Sequence, residues 1–279
     1  MTAVNQPEPA RLTDQEFWDD YWTGTELPQE FTDANTSAYI REFLAVFDRF
    51  LPRTPGLTAL EIGGAPGRYL AYFHRRFGYD VSLLEYSPVG YELARRNLEA
   101  LGIPATVVQG DMFDQETDLP RHDIVYSLGL IEHFDNPKAV AEAHLRFAKP
   151  GGSIVIGVPN LRGLNRRLHQ LISPSVLESH HVPSTDPRPW ETFERDLGLR
   201  VLWKGYICGF EPSNFWRLER RNPAAWIVWR LLRILSRAWE RPAMGRLRGL
   251  NSWAWSSYAI AFYEAPNPED KALQAASDR

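Results

Sequence analysis

The stretch Leu60-Glu61-Ile62-Gly63-Gly64-Ala65-Pro66-Gly67 ends an apolar run on a carboxylate and follows it at once with three glycines. Glycine lets the backbone turn tightly and approach a ligand closely, so the loop is shaped to hold a small molecule beside Glu61. A phosphate-cradling loop would need a Gly-Lys-Ser/Thr ending, which is missing. A dinucleotide fingerprint would need glycines where this chain has Gly63, Ala65 and Arg68. A carboxylate facing such a turn suits a cationic group better than a pyrophosphate. Two more acids follow. Glu85 stands 22 residues after Gly63, beside Tyr86, where a carboxylate can accept both hydroxyls of a ribose. Asp111, in "QGDMF", is followed by Met112, and an acid next to an apolar side chain can take the amino group and face of an adenine.

Periodicity explains why these acids should meet. Strands are expected at 58–62, 80–84, 105–109, 123–128 and 153–158, alternating with helices at 68–77, 88–101 and 136–147, the last stopped by "KPGG". Ser87 caps the second of these helices and Pro88 opens it. Alternation of this kind implies a parallel sheet covered on both faces, with ligands outside the carboxyl ends of the strands. After Pro159 an irregular, proline-rich segment is expected, then a helix at 190–197, a strand at 199–207, a helical insert and a last strand at 257–263. The final two strands read as a hairpin at the sheet edge.

With "LEIGGAPG", "LLEYS", "QGDMF", "DIVYSLGLIEHF" and "KPGG" in this order, the chain resembles the class I S-adenosylmethionine-dependent methyltransferases. Within them it is most similar to the ubiquinone-biosynthesis type of O-methyltransferase, through Ile131-Glu132-His133, Lys149 to Gly152, Pro159-Asn160 and Ser179-His180. The resemblance implies an α/β, Rossmann-like, seven-stranded and mostly parallel sheet with a helical insert before the last strand. It implies S-adenosyl-L-methionine as cofactor, with Glu61 and the loop of Gly63, Gly64, Ala65 and Gly67 around the methionine part. Glu85 and Tyr86 then serve the ribose, Asp111 and Met112 the adenine, and Ser127 and Leu128 line the fourth strand. Ala65 departs from the usual glycine. The acidic metal ligand expected three residues before the Glu-His pair is Gly129, so an ion such as Mg²⁺ would rest on Glu132, His133 and one loop histidine. Transfer to a hydroxyl needs a base, for which His133, His180 and His181 are the candidates. His144 lies inside a helix and is read as structural. The rival readings are a nicotinamide-dependent oxidoreductase of the same topology and a cofactor-binding protein without catalysis.

Composition limits the partners. The chain has 279 residues, a net charge of −4 and a single cysteine, Cys208, which excludes an internal disulfide framework and fits a reducing cytoplasm. The start lacks a basic, apolar leader, and no apolar run is long enough for a bilayer span. The expected layout is an N-terminal helical segment at 1–45, a methyltransferase domain at 46–265 with insertions near 160–190 and 213–250, and a flexible tail at 266–279. Compositional disorder is expected at 1–12 and 265–279. Nine arginines between Arg217 and Arg248 face only Glu219 and Glu240. From Ala224 to Arg241 an arginine stripe (230, 233, 237, 241) opposes Ile227, Val228, Leu231, Leu232, Leu235, Ala238 and Trp239, expected to pack on the domain or in a homodimer. The basic face offers contact with an anionic acceptor or a membrane surface; no nucleic-acid module is visible. Trp190, just after the histidine loop, suits the apolar face of a sugar, so a glycoside hydroxyl is the expected acceptor, with a phenolic or lipid-linked one as alternative.

Overall fold

The computed structural model describes residues 9–32, 36–220, 222–239, 241 and 244–268. Seven strands form one sheet: β1 (Thr58–Ile62), β2 (Asp80–Glu85), β3 (Ala105–Gln109), β4 (His122–Leu128), β5 (Ala148–Pro159), β6 (Arg200–Ile207) and β7 (Tyr258–Glu264). Their order is β3-β2-β1-β4-β5-β7-β6. β1 pairs in parallel with both β2 and β4, so the strand order reverses beside it. β7 runs antiparallel between β5 and β6, which makes the expected edge hairpin. The architecture matches the expectation of a mostly parallel, Rossmann-like sheet.

Alternate residues of each strand feed opposite layers, as the two-residue strand period requires. Ala59, Val81, Leu83, Ile124, Tyr126 and Phe262 meet α2 (Ala38–Phe50), α3 (Arg68–Phe77) and α4 (Pro88–Ala100) on one face. Leu60, Ile62, Leu84, Val125, Ile154 and Tyr263 meet α5 (Pro137–Phe147) and α8 (Glu191–Leu197) on the other. Burial on both faces is why the central strands read as continuous apolar runs. α2 carries Phe43 and Phe47 into the first layer, so the expected boundary at residue 45 falls inside a helix packed on the sheet.

Three expectations need correction. The segment after Pro159 is largely helical: α6 (Gly163–Ile172), α7 (Ser175–Glu178) and a 3-10 turn at Val182–Thr185. Two of its prolines stand at helix starts, where a missing N–H costs nothing: Pro174 caps α7 and Pro183 opens the 3-10 turn. "KPGG" ends α5 but lies within β5. Residues 9–12, expected to be disordered, are held: the Leu12 N–H donates to the His133 carbonyl at 2.9 Å and that of Asp135 to the Ala10 carbonyl at 3.1 Å. Of the tail expected at 266–279, residues 269–279 lie outside the described residues.

In the insert, α9 (Pro223–Trp239) is followed by the short α10 (Gly245–Arg248). α9 buries Ala225, Leu232 and Trp239, but Ile227 and Leu231, expected on its packed side, are exposed. The contact of α9 with α6 and Phe215 covers one narrow side of the helix.

Candidate functional site

A cavity of about 490 Å³ opens at the carboxyl ends of β1, β2 and β4. One end of it is built by the glycine loop. Gly63 and Gly67 hold positive φ angles of 68° and 83°, and the Gly67 N–H closes the turn on the Gly64 carbonyl at 2.8 Å. A side chain at Gly64 would overlap the Glu61 carboxyl group, so glycine there keeps the acid in the cavity wall. Asn97 of α4 donates to the Pro66 carbonyl at 2.8 Å and fixes the loop to its neighbouring helix.

Two carboxyl groups face this end. Glu61 is buried and accepts from the Tyr126 hydroxyl at 3.0 Å; burial pushes its pKa up to about 8. Glu85 accepts from the backbone N–H groups of Ala65 at 3.3 Å and Ser87 at 3.0 Å. Burial raises it to about 7, against the pull of those N–H groups. Neither forms an ion pair among the described residues, although the Arg68 charge favours the ionised form of Glu61, so a cationic or hydroxyl-bearing ligand would complete them.

The third acid is occupied. The Arg11 guanidinium forms an ion pair with Asp111 and lies over the rings of Tyr86, Phe113 and Phe134, at 4.6, 5.4 and 5.3 Å from their centroids. Met112 is packed in the core, and neither it nor Asp111 lines the cavity. The Ser127 hydroxyl also faces away, hydrogen-bonded to the buried His144 ring at 2.9 Å. His144 is structural, as expected, with its other ring nitrogen on the Val140 carbonyl at 2.7 Å. Ala65, Tyr86 and Leu128 do line the cavity, and Gly67 starts α3 behind it.

The other end holds a second cluster. A 3-10 turn at Ile131–His133 follows Gly129, whose φ of 81° redirects the chain. Ligand atoms of Glu132, His133 and His180 lie within 4.8 Å of one another. The Glu132 side chain is 1% exposed, and its Oε2 has no hydrogen-bond partner among the described residues. Burial lifts its pKa to about 8. Burial, and then His180, depress His133 to about 3. The Nδ1 atoms of His133 and His180 lie 3.0 Å from the Ser179 carbonyl and 2.5 Å from the Val176 carbonyl. Such contacts fix the tautomer and leave each Nε2 as the lone-pair nitrogen.

His181 is not among the residues lining the cavity: its Nδ1 lies 2.5 Å from the Ser184 hydroxyl, and its backbone N–H donates to the Glu132 carbonyl. The donor set of one carboxylate and two imidazoles fits Zn²⁺ or Mn²⁺ better than Mg²⁺, which prefers oxygen and water. Trp190 is also displaced, at 2% exposure in the core with its Nε1 donating to the Ser184 carbonyl at 3.1 Å.

The aromatic wall of the cavity went unread in the sequence. Phe17, Trp18, Tyr21 and Trp22 of α1 (Gln15–Trp22) line it with Tyr39, Phe43, Tyr69 and Tyr258. Their i, i+1, i+4, i+5 spacing in "FWDDYW" was the available signal, since it places four rings on one side of a helix. Trp18 meets the His133 ring edge-on at 4.9 Å between centroids. Ser87, which caps α4, donates to Asp19 at 2.5 Å and ties α1 to the end of the cavity that holds Glu85.

Comparison with known proteins gives this geometry a context. The chain is 27% identical over 106 residues to the ubiquinone biosynthesis O-methyltransferase of Proteus mirabilis, covering 38% of this chain and 43% of that protein. It is 30% identical over 106 residues to the enzyme of the same name from Photorhabdus laumondii, covering 38% and 44%. The matched stretch thus spans under half the length of these curated relatives. A SAM-dependent methyltransferase from Thiobacillus denitrificans, solved with S-adenosyl-L-homocysteine, shares the fold at a TM-score of 0.53 and 17% identity, over 89% of this chain and 97% of that one. Residues 35–203 match the family described as "Methyltransferase domain", more than half of the chain, and the protein belongs to that methyltransferase family.

Proposed function

We propose that this protein is an S-adenosyl-L-methionine-dependent O-methyltransferase acting on the hydroxyl of an aromatic, phenolic small molecule. The observation that carries the reading is the buried, unpartnered Oε2 of Glu132, set with His133 and His180 in an aromatic-walled cavity that continues to Glu61 and Glu85. The bound cofactor supplies a methyl group on a positively charged sulfur, already activated for displacement. Glu61 and the glycine loop suit its amino acid part, and Glu85 its ribose hydroxyls. Asp111 suits the adenine once Arg11 has moved from it.

Alignment and proton removal are the tasks left to the chain. Displacement of that methyl group onto the acceptor oxygen would leave the carbon–sulfur electron pair on sulfur, and the part of this chain would be to receive the hydroxyl proton at Glu132 Oε2. A carboxylate with a pKa of about 8 is matched to a working pH near neutrality, whereas His133, held at about 3, is a poor proton acceptor. His133 and His180 lie close enough to Glu132 that, with it, they could hold a divalent ion that would lower the hydroxyl's pKa.

The names of the curated relatives favour oxygen as acceptor. The rings of Trp18, Tyr21, Trp22 and Tyr39 favour an aromatic one, through edge and face contacts. A sugar acceptor lacks the plate it rested on, because Trp190 is in the core. The test is methyl transfer from labelled cofactor to phenols, sugars, lipids and RNA in parallel. Labelling of phenols is expected. Labelling confined to sugars or RNA overturns the acceptor, and cofactor binding with no transfer to any class overturns the enzymatic reading.

A further inference from the structure

α9 is anchored by one side only. Leu232 packs with Ile172 and Phe215, joined by Val228 and Trp229. The opposite side of a solvent-facing helix is ordinarily polar. Here it carries Trp226, Ile227, Leu231 and Ile234, exposed by 52%, 52%, 60% and 58%. Arg230 and Arg237 border this apolar arc, with the Arg230 guanidinium 5.5 Å above the Trp226 ring. No acid interrupts the helix. Trp216, also exposed, adjoins it through the Trp229 Nε1 bond to the Trp216 carbonyl at 3.1 Å. An open cleft of about 590 Å³ lies where Leu218, Asn222 and Pro223 meet Trp226 and Ile227.

We propose that this arc of α9 is a docking face for an anionic lipid bilayer, on which the helix lies in the plane of the headgroups. The interleaving decides the partner. Aliphatic side chains beside exposed tryptophan and arginine fit the boundary between acyl chains and headgroups, where indole rings settle and long cationic side chains reach the phosphates. Charge complementarity points the same way: the insert is strongly basic in a chain whose net charge is −4. A second copy fits less well. A symmetric pairing of the two arcs would bring their arginines together with no acid on the helix to receive them. No helix among the described residues is long and apolar enough to cross a membrane, and the 17 residues of α9 extend about 25 Å, enough to lie along the surface. The proposal does not depend on the acceptor's identity.

The test is co-sedimentation of the full chain with vesicles of phosphatidylcholine alone or mixed one-to-one with phosphatidylglycerol. Binding is expected only to the mixed vesicles and is expected to weaken as salt is raised. Two paired variants, Ile227→Ser with Leu231→Ser and Arg230→Glu with Arg237→Glu, should each reduce it by about 10-fold or more, since both the apolar and the charged contacts contribute. These positions are exposed and outside the cavity, so binding of S-adenosylhomocysteine by calorimetry should stay at the parent's value and certify the fold. Equal binding to neutral vesicles, no binding to either, or binding unchanged in both variants overturns the proposal. Sedimentation analysis that finds a dimer dispersed by Ile227→Ser with Leu231→Ser, without vesicle binding, assigns the arc to self-association instead.

Discussion

The two ends of the cavity are built in different ways. At one end Glu61 and Glu85 stand at the ends of neighbouring parallel strands; Ala65 of the glycine loop and Ser87, the cap of α4, donate backbone N–H groups to Glu85, and the Tyr126 hydroxyl donates to Glu61. At the other, Glu132 and His133 come from a 3-10 turn, His180 from the end of a short helix, and Trp18 from a helix more than a hundred residues earlier. The first end is set by the sheet, and its parts follow one another in the chain. The second is assembled from separate segments, each held by its neighbours. Sheet-borne chemistry is fixed by register, while helix-borne chemistry can be re-formed by moving one segment, which would suit an end that receives the proposed acceptor.

The largest expected effect separates the ends by turnover. Glu132→Gln keeps the shape and removes the base, so kcat should fall by about 10²- to 10⁴-fold with cofactor affinity unchanged. Turnover within a few-fold of the parent, measured with the best phenol, would remove Glu132 from its role. His133→Ala should cost less, and its loss should differ between chelated enzyme and enzyme given Mn²⁺ or Zn²⁺ if the cluster holds an ion.

At the opposite end the effect is on binding. Glu85→Ala should weaken S-adenosylhomocysteine binding by about 10- to 150-fold, the equivalent of about 1.5 to 3 kcal/mol for hydrogen bonds to a charged group. Glu61 should add a pH signature. Its carboxyl is protonated below about 8 in the free protein and must ionise to face an ammonium group. Affinity should therefore rise with pH up to about 8, with proton release seen by calorimetry in buffers of differing ionisation enthalpy. Glu61→Gln should flatten that dependence.

Both ends contribute to a third prediction, the stability of the free protein against pH. Glu61, Glu85 and Glu132 have pKa values raised from 4.5 to about 8, 7 and 8, so between those limits the folded state binds more protons than the unfolded one, and stability falls as pH rises. His133, His144 and His169 are depressed from 6.5 to about 3, 4 and 4, so the unfolded state binds the extra protons and stability falls as pH drops through that window. The two sets oppose each other between pH 4.5 and 6.5. The melting temperature should be flat there and decline on either side. A maximum at pH 8 would show that the buried carboxyls are ionised in the fold.

The smallest effect concerns Arg11. Arg11→Ala should tighten cofactor binding by a few-fold, because the apparent affinity is reduced by the fraction of molecules in which Asp111 is engaged. Weaker binding in this variant would make Arg11 a contributor to the cofactor site.

Much of the sheet and of the first end could be read from the chain because each motif is contiguous: a strand's last residue, the loop after it and the cap of the next helix fix one another locally. The second end was read by residue type but not by direction. His180 and His181 are adjacent, and only contacts with Val176 and Ser184 decide which ring turns toward the cavity. A tryptophan after a polar loop looks the same in sequence whether it is a binding plate or a core residue, and Trp190 is a core residue. The proline-rich stretch hid α6, although Leu164, Leu168, Leu171 and Ile172 repeat at helical spacing. In α9 apolar residues surround most of the helix, so periodicity alone did not single out the buried side.

The Arg11 contact has one more consequence. The guanidinium belongs to the same chain as the slot it fills, so against a cofactor that needs Asp111 it would compete at a local concentration that dilution does not lower. A competitor of this kind weakens the arriving and the spent cofactor alike, since both would need Asp111. The same side chain that would slow loading would thus also hinder rebinding of the spent cofactor.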